Sequence, residues 1–290
     1  MVATAVASPR FRLRRAALAE AVIDPTEEQR RVIEHRGRRL RVLAGPGTGK
    51  TATMVEAVAE RIVERDVPPE NILVLTFSRR AAAELTDRIT RRLAITTREP
   101  LVRTLHAYAY SLLRRHAVQS GEPAPRLLAA GESDQMVREL LAGQVESARG
   151  SWPDGIRGAL GSPAFAAELR ELLLRTAERG ITPTRLAELG RRRRRPEWQA
   201  AAKFAMEYQD VADLRQGSSG FGAALDQAEL TLAALGLLAD DRVLAAEQSR
   251  IRRIFVDEYQ DVDPAQARLV QRLSSGADEL VVLGDPDQSI

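Results

Sequence analysis

Cysteine is absent from all 290 residues, and lysine nearly so: of 43 basic residues only Lys50 and Lys203 are lysines. Without cysteine there are no disulfides, no thiolate chemistry and no cysteine-ligated zinc. The three histidines, His35, His106 and His116, fall at no metal-binding spacing. No run approaches the roughly 18 apolar residues that a membrane-spanning helix needs. Charge of one sign is also lacking. A net +3 permits a nucleic-acid partner without demanding one. Residues 1–23 carry Arg10, Arg12, Arg14 and Arg15 ahead of a short apolar patch that Glu20 interrupts, which predicts a mixed or disordered leader rather than a signal peptide. A cytoplasmic protein is the expectation.

Against that scarcity of lysine, the position of Lys50 stands out. It ends the stretch Gly45-Pro46-Gly47-Thr48-Gly49-Lys50-Thr51, which fits the G-x-x-x-x-G-K-[ST] phosphate-loop pattern. The apolar run Leu40 to Ala44 leads in as a strand, and Ala52 to Val63 follows as a helix. Glycines let the backbone curl so that several N–H groups point at one phosphate, and the helix start adds its unpaired donors and positive dipole end. Lys50 then reaches the β- and γ-phosphates, and the Thr51 hydroxyl ligates Mg²⁺. An arginine-dominated chain has kept a compact point charge where a planar fork would not serve.

The rest of the chain reads as strands alternating with helices at both ends. Asp24-Pro25-Thr26-Glu27-Glu28-Gln29 opens a helix running to about His35. Helix 52–65 is followed by a fully buried strand at 71–77, a helix at 78–93, a strand at 101–105 and a helix at 106–116. Residues 118–125 are linker-like, and helices at 132–149, 163–179, 182–189 and 196–215 follow with no strong strand. After Gln216-Gly217-Ser218-Ser219-Gly220 come a helix at 225–238, a strand at 252–258, a helix at 264–273 and a strand at 279–283. The pattern predicts an α/β fold with a mainly parallel sheet, interrupted by an all-helical insertion. The chain stops directly after a polar turn, as if cut from something longer.

Asp257-Glu258 at a strand end is the partner a phosphate loop requires, because ligands sit at the carboxyl ends of such strands. Asp257 there can hold Mg²⁺ and Glu258 can take a proton from an attacking water. About 200 residues separate this pair from Lys50, which fits the insertion. Gln288, after a second apolar strand and Asp285, is read two ways: a contact to the γ-phosphate, or part of a polar turn. Thr76, Phe77, Ser78, Arg79 and Arg80, with Thr104 and His106, follow strand ends and either grip nucleic-acid phosphates or form a solvated face. Arg191 to Arg195 is the most basic spot, either touching a DNA backbone or exposed without a partner. Trp152 and Trp198 fit core anchors of the helical region better than base-stacking platforms.

Together these motifs resemble the N-terminal motor half of a superfamily 1 DNA helicase of the UvrD/Rep/PcrA type. Residues 24–29 resemble the family's Q motif, with Gln29 reading the adenine; residues 44–51 resemble motif I. Residues 76–85 resemble motif Ia and residues 103–106 the next DNA-contacting motif. Val256-Asp257-Glu258-Tyr259-Gln260-Asp261 resembles motif II, and Gly284 to Ile290 motif III, with Gln288 as γ-phosphate sensor.

The resemblance implies a RecA-like ATP-binding domain made of residues 24–117 and 223–290, with 118–222 as the family's inserted helical domain. It implies a helicase that hydrolyses ATP with Mg²⁺ to move on single-stranded DNA, 3′→5′, from single-strand/duplex junctions, in repair or recombination. A second RecA-like domain beyond residue 290 is implied, and without its arginines this piece alone is expected to bind ATP weakly and hydrolyse it hardly at all. Tyr259 and Pro286 depart toward the RecB-like and actinobacterial AdnAB-like helicase–nuclease branches, which would add a nuclease domain and a second subunit. A non-hydrolysing DNA-binding scaffold is the remaining alternative, and the intact Lys50 and Glu258 argue against it.

Overall fold

The computed structural model describes residues 24–93, 101–147, 151–219 and 222–288. The expected leader, and Ser289 and Ile290 of the last turn, lie outside these residues.

Five parallel strands form the main sheet: β1 (Arg39–Leu43), β2 (Ile72–Thr76), β3 (Val102–Thr104), β6 (Arg253–Val256) and β7 (Glu279–Gly284). Their order is β1-β7-β6-β2-β3. Alternate residues of each strand point to opposite faces, and here both faces are covered. Leu73, Leu75, Ile254 and Val256 pack on α4 (Leu105–Ser120), α10 (Gln227–Leu237), α11 (Asp241–Arg250) and α12 (Pro264–Ser274). Ile72, Val74, Phe255, Val281 and Leu283 pack on α2 (Lys50–Val63) and α3 (Arg79–Leu93). That two-sided burial is why β2 reads as an unbroken apolar run. Ahead of β1, α1 (Glu27–Ile33) is closed by a capping box between Thr26 and Gln29.

The region between β3 and β6 has a core of its own. Helices α5 (Ala130–Glu146), α7 (Pro163–Glu178), α8 (Pro183–Arg193) and α9 (Pro196–Ser219), with the single turn α6 (Asp154–Arg157), enclose Val137, Leu141, Trp152, Leu169 and Phe204. Trp152 is an anchor: its ring lies edge-on to Phe165 at 5.2 Å, and its indole N–H donates to Gln144 at 2.7 Å. Trp198 is half-buried against the same cluster.

Three expectations need correction. The stretch 118–125 is not all linker, because α4 continues to Ser120 and ends at Gly121 in the left-handed conformation. A short strand pair brackets the helices where no strand is expected: β4 (Arg126–Leu127) pairs in parallel with β5 (Ala224–Leu225), so entry and exit of the helical region lie side by side. Helix α11, capped by Asp240, falls where no helix is expected from the sequence.

Candidate nucleotide site and strand-facing surface

The loop after β1 has the geometry its glycines predict. Gly47 and Gly49 have φ of 73° and 83°. Gly49 occupies the cap position of α2 with no side chain to satisfy the helix donors, which leaves them for an anion. A Cβ on Gly49 would lie 2.8 Å from the Gln29 amide nitrogen. That amide donates to Thr48 O at 3.0 Å, while its oxygen accepts the Thr26 N–H at 3.0 Å. Gln29 is therefore oriented from both ends over the loop. Thr48 Oγ1 donates to Gly45 O at 2.8 Å, and Lys50 Nζ to Ala44 O at 2.8 Å and Gly45 O at 3.3 Å. Thr51 is half-buried in the first turn of α2; Pro46 is exposed at the loop's tip.

Register brings the acids to the same place. Val42 is aligned with Leu283 and Val282 with Val256, so the loops leaving β1, β7 and β6 open side by side. Asp257, 4% exposed, donates its N–H to Leu75 O and accepts the Glu258 N–H at 3.1 Å. Burial pushes its carboxyl up to about 6, the Glu258 charge adds to the rise, and Lys50 pulls the other way. Lys50 and Asp257 are thus within electrostatic reach across about 200 residues of sequence. Glu258 sits at φ 50°, a conformation costly for a residue with a side chain and common at functional sites.

Asp285, at the end of β7, is 2% exposed. One of its oxygens accepts the Asp287 N–H at 3.1 Å, and the other is buried with no hydrogen-bond partner among the described residues. A buried anion that burial penalises, a partnerless carboxylate oxygen and open helix donors form a donor set suited to a polyphosphate with a divalent cation. Gln288 is exposed in the short turn Pro286–Gln288.

The residues expected to face a strand divide into two groups. Phe77, Ser78, Arg79 and Arg80 are exposed, Phe77 at 51%. Ser78 caps α3 through the Ala81 N–H, and no hydrogen bond or ion pair among the described residues engages the side chain of Arg79 or Arg80. The arginines farther along α3 are paired: Arg88 with Glu84, Arg91 with Asp87 and Arg92 with Glu56. The second group points inward. Thr76 is fully buried, its hydroxyl without a hydrogen-bond partner among the described residues, Thr104 caps α4 by accepting the Ala107 N–H, and His106 Nε2 lies 3.1 Å from Gln266 Nε2. Arg191 to Arg195 are exposed around the α8–α9 corner, where Arg194 adopts φ 54° and Arg195 pairs with Glu197 at 3.2 Å.

Two glutamines escape the sequence reading of single residues. Gln260 donates to Glu258 at 2.6 Å and accepts the Asp285 N–H at 2.9 Å, bridging the loops after β6 and β7. Gln266 joins α12 to His106. Gln260 lies within the acidic motif, but nothing local tells that its amide spans to β7.

The sequence matches the UvrD/REP helicase N-terminal domain over residues 25–290. It is 28% identical over 265 residues to DNA helicase II of Escherichia coli and of Salmonella typhimurium, covering 91% of this chain and 34% of theirs. To the ATP-dependent DNA helicase PcrA of Staphylococcus aureus it is 28% identical over 258 residues, covering 87% of this chain and 32% of that one. The chain thus spans about a third of the length of these relatives. With phosphate loop, acidic pair and parallel sheet in one site, and the match covering nearly all its length, this chain belongs to the UvrD/REP helicase N-terminal domain family.

Proposed function

We propose that this chain is the ATP-binding half of a motor that moves 3′→5′ on single-stranded DNA and opens single-strand/duplex junctions, in repair or recombination. Residues 24–117 and 223–290 act as its RecA-like domain, residues 118–222 as its inserted domain, and a second RecA-like domain completes the cleft. The observation that carries the reading is the buried Asp257 carboxyl, pushed up to about 6 and within reach of Lys50. Such a group is poised to be ionised by a cation.

Gln29 reads the adenine, and the backbone of Gly45 to Gly49 cradles the phosphates. Lys50 neutralises charge on the β- and γ-phosphates. Thr51 and Asp257 hold Mg²⁺, which when bound spreads the negative charge of the transferring phosphoryl group. Glu258 accepts the proton of the lytic water, and Gln288 contacts the γ-phosphate. Phe77, Ser78, Arg79 and Arg80 front the strand, with Thr76, Thr104 and His106 shaping the floor behind them. The work of the site is positioning and charge neutralisation.

The test is equilibrium binding of Mg²⁺-ATP, followed by ATP turnover with and without single-stranded DNA when the second motor domain is joined to the chain. Wild type is expected to bind nucleotide, and DNA to stimulate turnover. Lys50→Ala should abolish binding, and Glu258→Gln should bind but not turn over. Turnover indifferent to DNA and to both substitutions would refute the motor. Tyr259 and Pro286 favour a second reading, the motor part of a helicase–nuclease working with a second subunit. Degradation of DNA by the native polypeptide decides it.

A further inference from the structure

β3 pairs with β2 and β2 with β6, all in parallel, so the segments leaving β3 and β6 emerge at the same carboxyl end of the sheet, one strand apart. The first becomes α4, with Thr104 as cap and His106 in the first turn. The second carries Asp257 and Glu258 through a short turn to Asp263 and α12. Gln266, in the first turn of α12, is 2% exposed. Its Oε1 accepts the Asp263 N–H at 3.4 Å, and its Nε2 faces His106 Nε2 at 3.1 Å.

The amide is oriented with its oxygen toward the Asp263 N–H and its nitrogen toward the ring. The nitrogen can only donate, so His106 Nε2 is the acceptor and its ring is neutral. Burial holds this imidazole below its ordinary pKa, against the opposing pull of Asp263 and Asp226, in keeping with that form. His106 therefore offers DNA no cation. What it offers is a hydrogen bond inward.

The other end of the same segment is fastened too. Gln260 ties the Glu258 carboxylate to the Asp285 N–H, and Glu258 is held in the left-handed conformation. The run from Glu258 to Asp263 is thus pinned by one glutamine on the nucleotide side and by another on the strand side. A displacement of His106 reaches Glu258 through Gln266 and the Asp263 cap, and a strained backbone at Glu258 has a conformation to relax into.

We propose that Gln266 is a positioning residue that couples the strand-facing start of α4 to the acidic pair, so that single-stranded DNA and nucleotide alter each other's affinity through it. The inference deepens the function proposed above and rests on it. A purely structural role, as a capping-box residue of α12, predicts lost stability with the coupling intact.

The experiment measures the affinity of the 290-residue chain for Mg²⁺ with a non-hydrolysable ATP analogue, alone and with saturating oligothymidylate. In wild type the two affinities should differ by about fivefold or more. Gln266→Met fills the same space without an amide. It should bring the ratio to within about twofold of one, with each ligand's separate affinity changed less than about twofold. Gln266→Glu still accepts from Asp263 and from the other tautomer of His106, and should keep the coupling. The His106 ring resonances, one of three histidine sets, should move on nucleotide addition in wild type and in Gln266→Glu.

A wild-type chain that binds both ligands with a ratio of one overturns the coupling; so does a Met variant with the wild-type ratio. If Gln266→Met does not fold, a wild-type His106 signal indifferent to nucleotide overturns it equally, and one that moves in wild type and in Gln266→Glu supports it. Failure of wild type to bind nucleotide or DNA sinks the underlying function, and this inference with it.

Discussion

Replacing Asp257 with asparagine should make the protein more stable. The carboxyl is 4% exposed and lifted from 3.8 to about 6, chiefly by burial and then by Glu258. An acid with a raised folded pKa holds more protons folded than unfolded between about pH 4 and pH 6, so stability falls as pH rises through that window. About two pKa units at 1.36 kcal/mol each put the penalty near 3 kcal/mol, complete above pH 6 and absent below pH 4. Asparagine carries no charge to desolvate, and its carbonyl can still accept the Glu258 N–H. Asp257→Asn should therefore gain up to about 3 kcal/mol at pH 7.5, or roughly 6–10 °C in Tm, and nothing at pH 4. Urea unfolding of both proteins at several pH values, in metal-free buffer, reads the difference directly. Mg²⁺-nucleotide should then stabilise wild type and not the variant. An asparagine variant less stable than wild type at pH 7.5, or one whose advantage persists at pH 4, would show that burial of the Asp257 carboxylate does not penalise the fold.

Other substitutions probe the frame around the site. Arg61 is fully buried, paired with Glu279 at 2.6 Å, and donates to the carbonyls of Ile33 and His35 at the end of α1. Arg61→Met should cost about 3 kcal/mol in chemical denaturation, the lower end for a broken buried pair because Arg253 stands 3.6 Å from Glu279. Adding Glu279→Leu should recover more than half of that, and a double variant as weak as the sum of the singles would contradict the charge argument. Gly49→Ala forces φ 83° on a residue with a Cβ and pushes Gln29 off Thr48. Stability should drop about 1–2 kcal/mol and nucleotide affinity should fall with it, whereas an unchanged melting curve and titration would refute the crowding. Tyr108 donates to Glu247 at 2.8 Å, and Arg115 and Arg250 bind the same carboxylate. Tyr108→Phe should cost about 1.5 kcal/mol, and a loss below about 0.5 would mean the arginines satisfy Glu247 unaided.

What could be read from the chain and what could not separates by range. The phosphate loop and the acid-tipped strand are local patterns: glycines where φ is positive, apolar runs buried on both faces, acids just past a strand. Helix α11 does not announce itself because its apolar residues, Val243 to Ala246, fall in one unbroken run and show no period, although Asp240 is a good cap. Arg61, Glu247 and Glu279 look like surface residues in a sequence, since charged side chains are seldom buried unless paired. Their partners lie up to 218 positions away, and only the sheet order makes them neighbours. The inward turn of Thr76, Thr104 and His106 is hidden for the same reason: a strand-end residue faces groove or core according to which helix packs above it.

The long gap between the two halves of the site is less demanding than it looks. The cost of closing a loop grows only with the logarithm of its length, so a folded insertion adds little beyond a short one. What it must do is return the chain where it left. The parallel pairing of Arg126 with Ala224 and of Leu127 with Leu225 does this, placing the last residues before the helical region beside the first after it. From there α10 packs on the sheet through Leu230 and Ala234, and β6 enters between β2 and β7. The position of Asp257 relative to Lys50 is thus set by strand register, and the helical insertion rests on the sheet domain where α7 packs against α10 and α12. Shortening a surface loop of the insertion should leave nucleotide affinity unchanged, whereas breaking the β4–β5 pair should not.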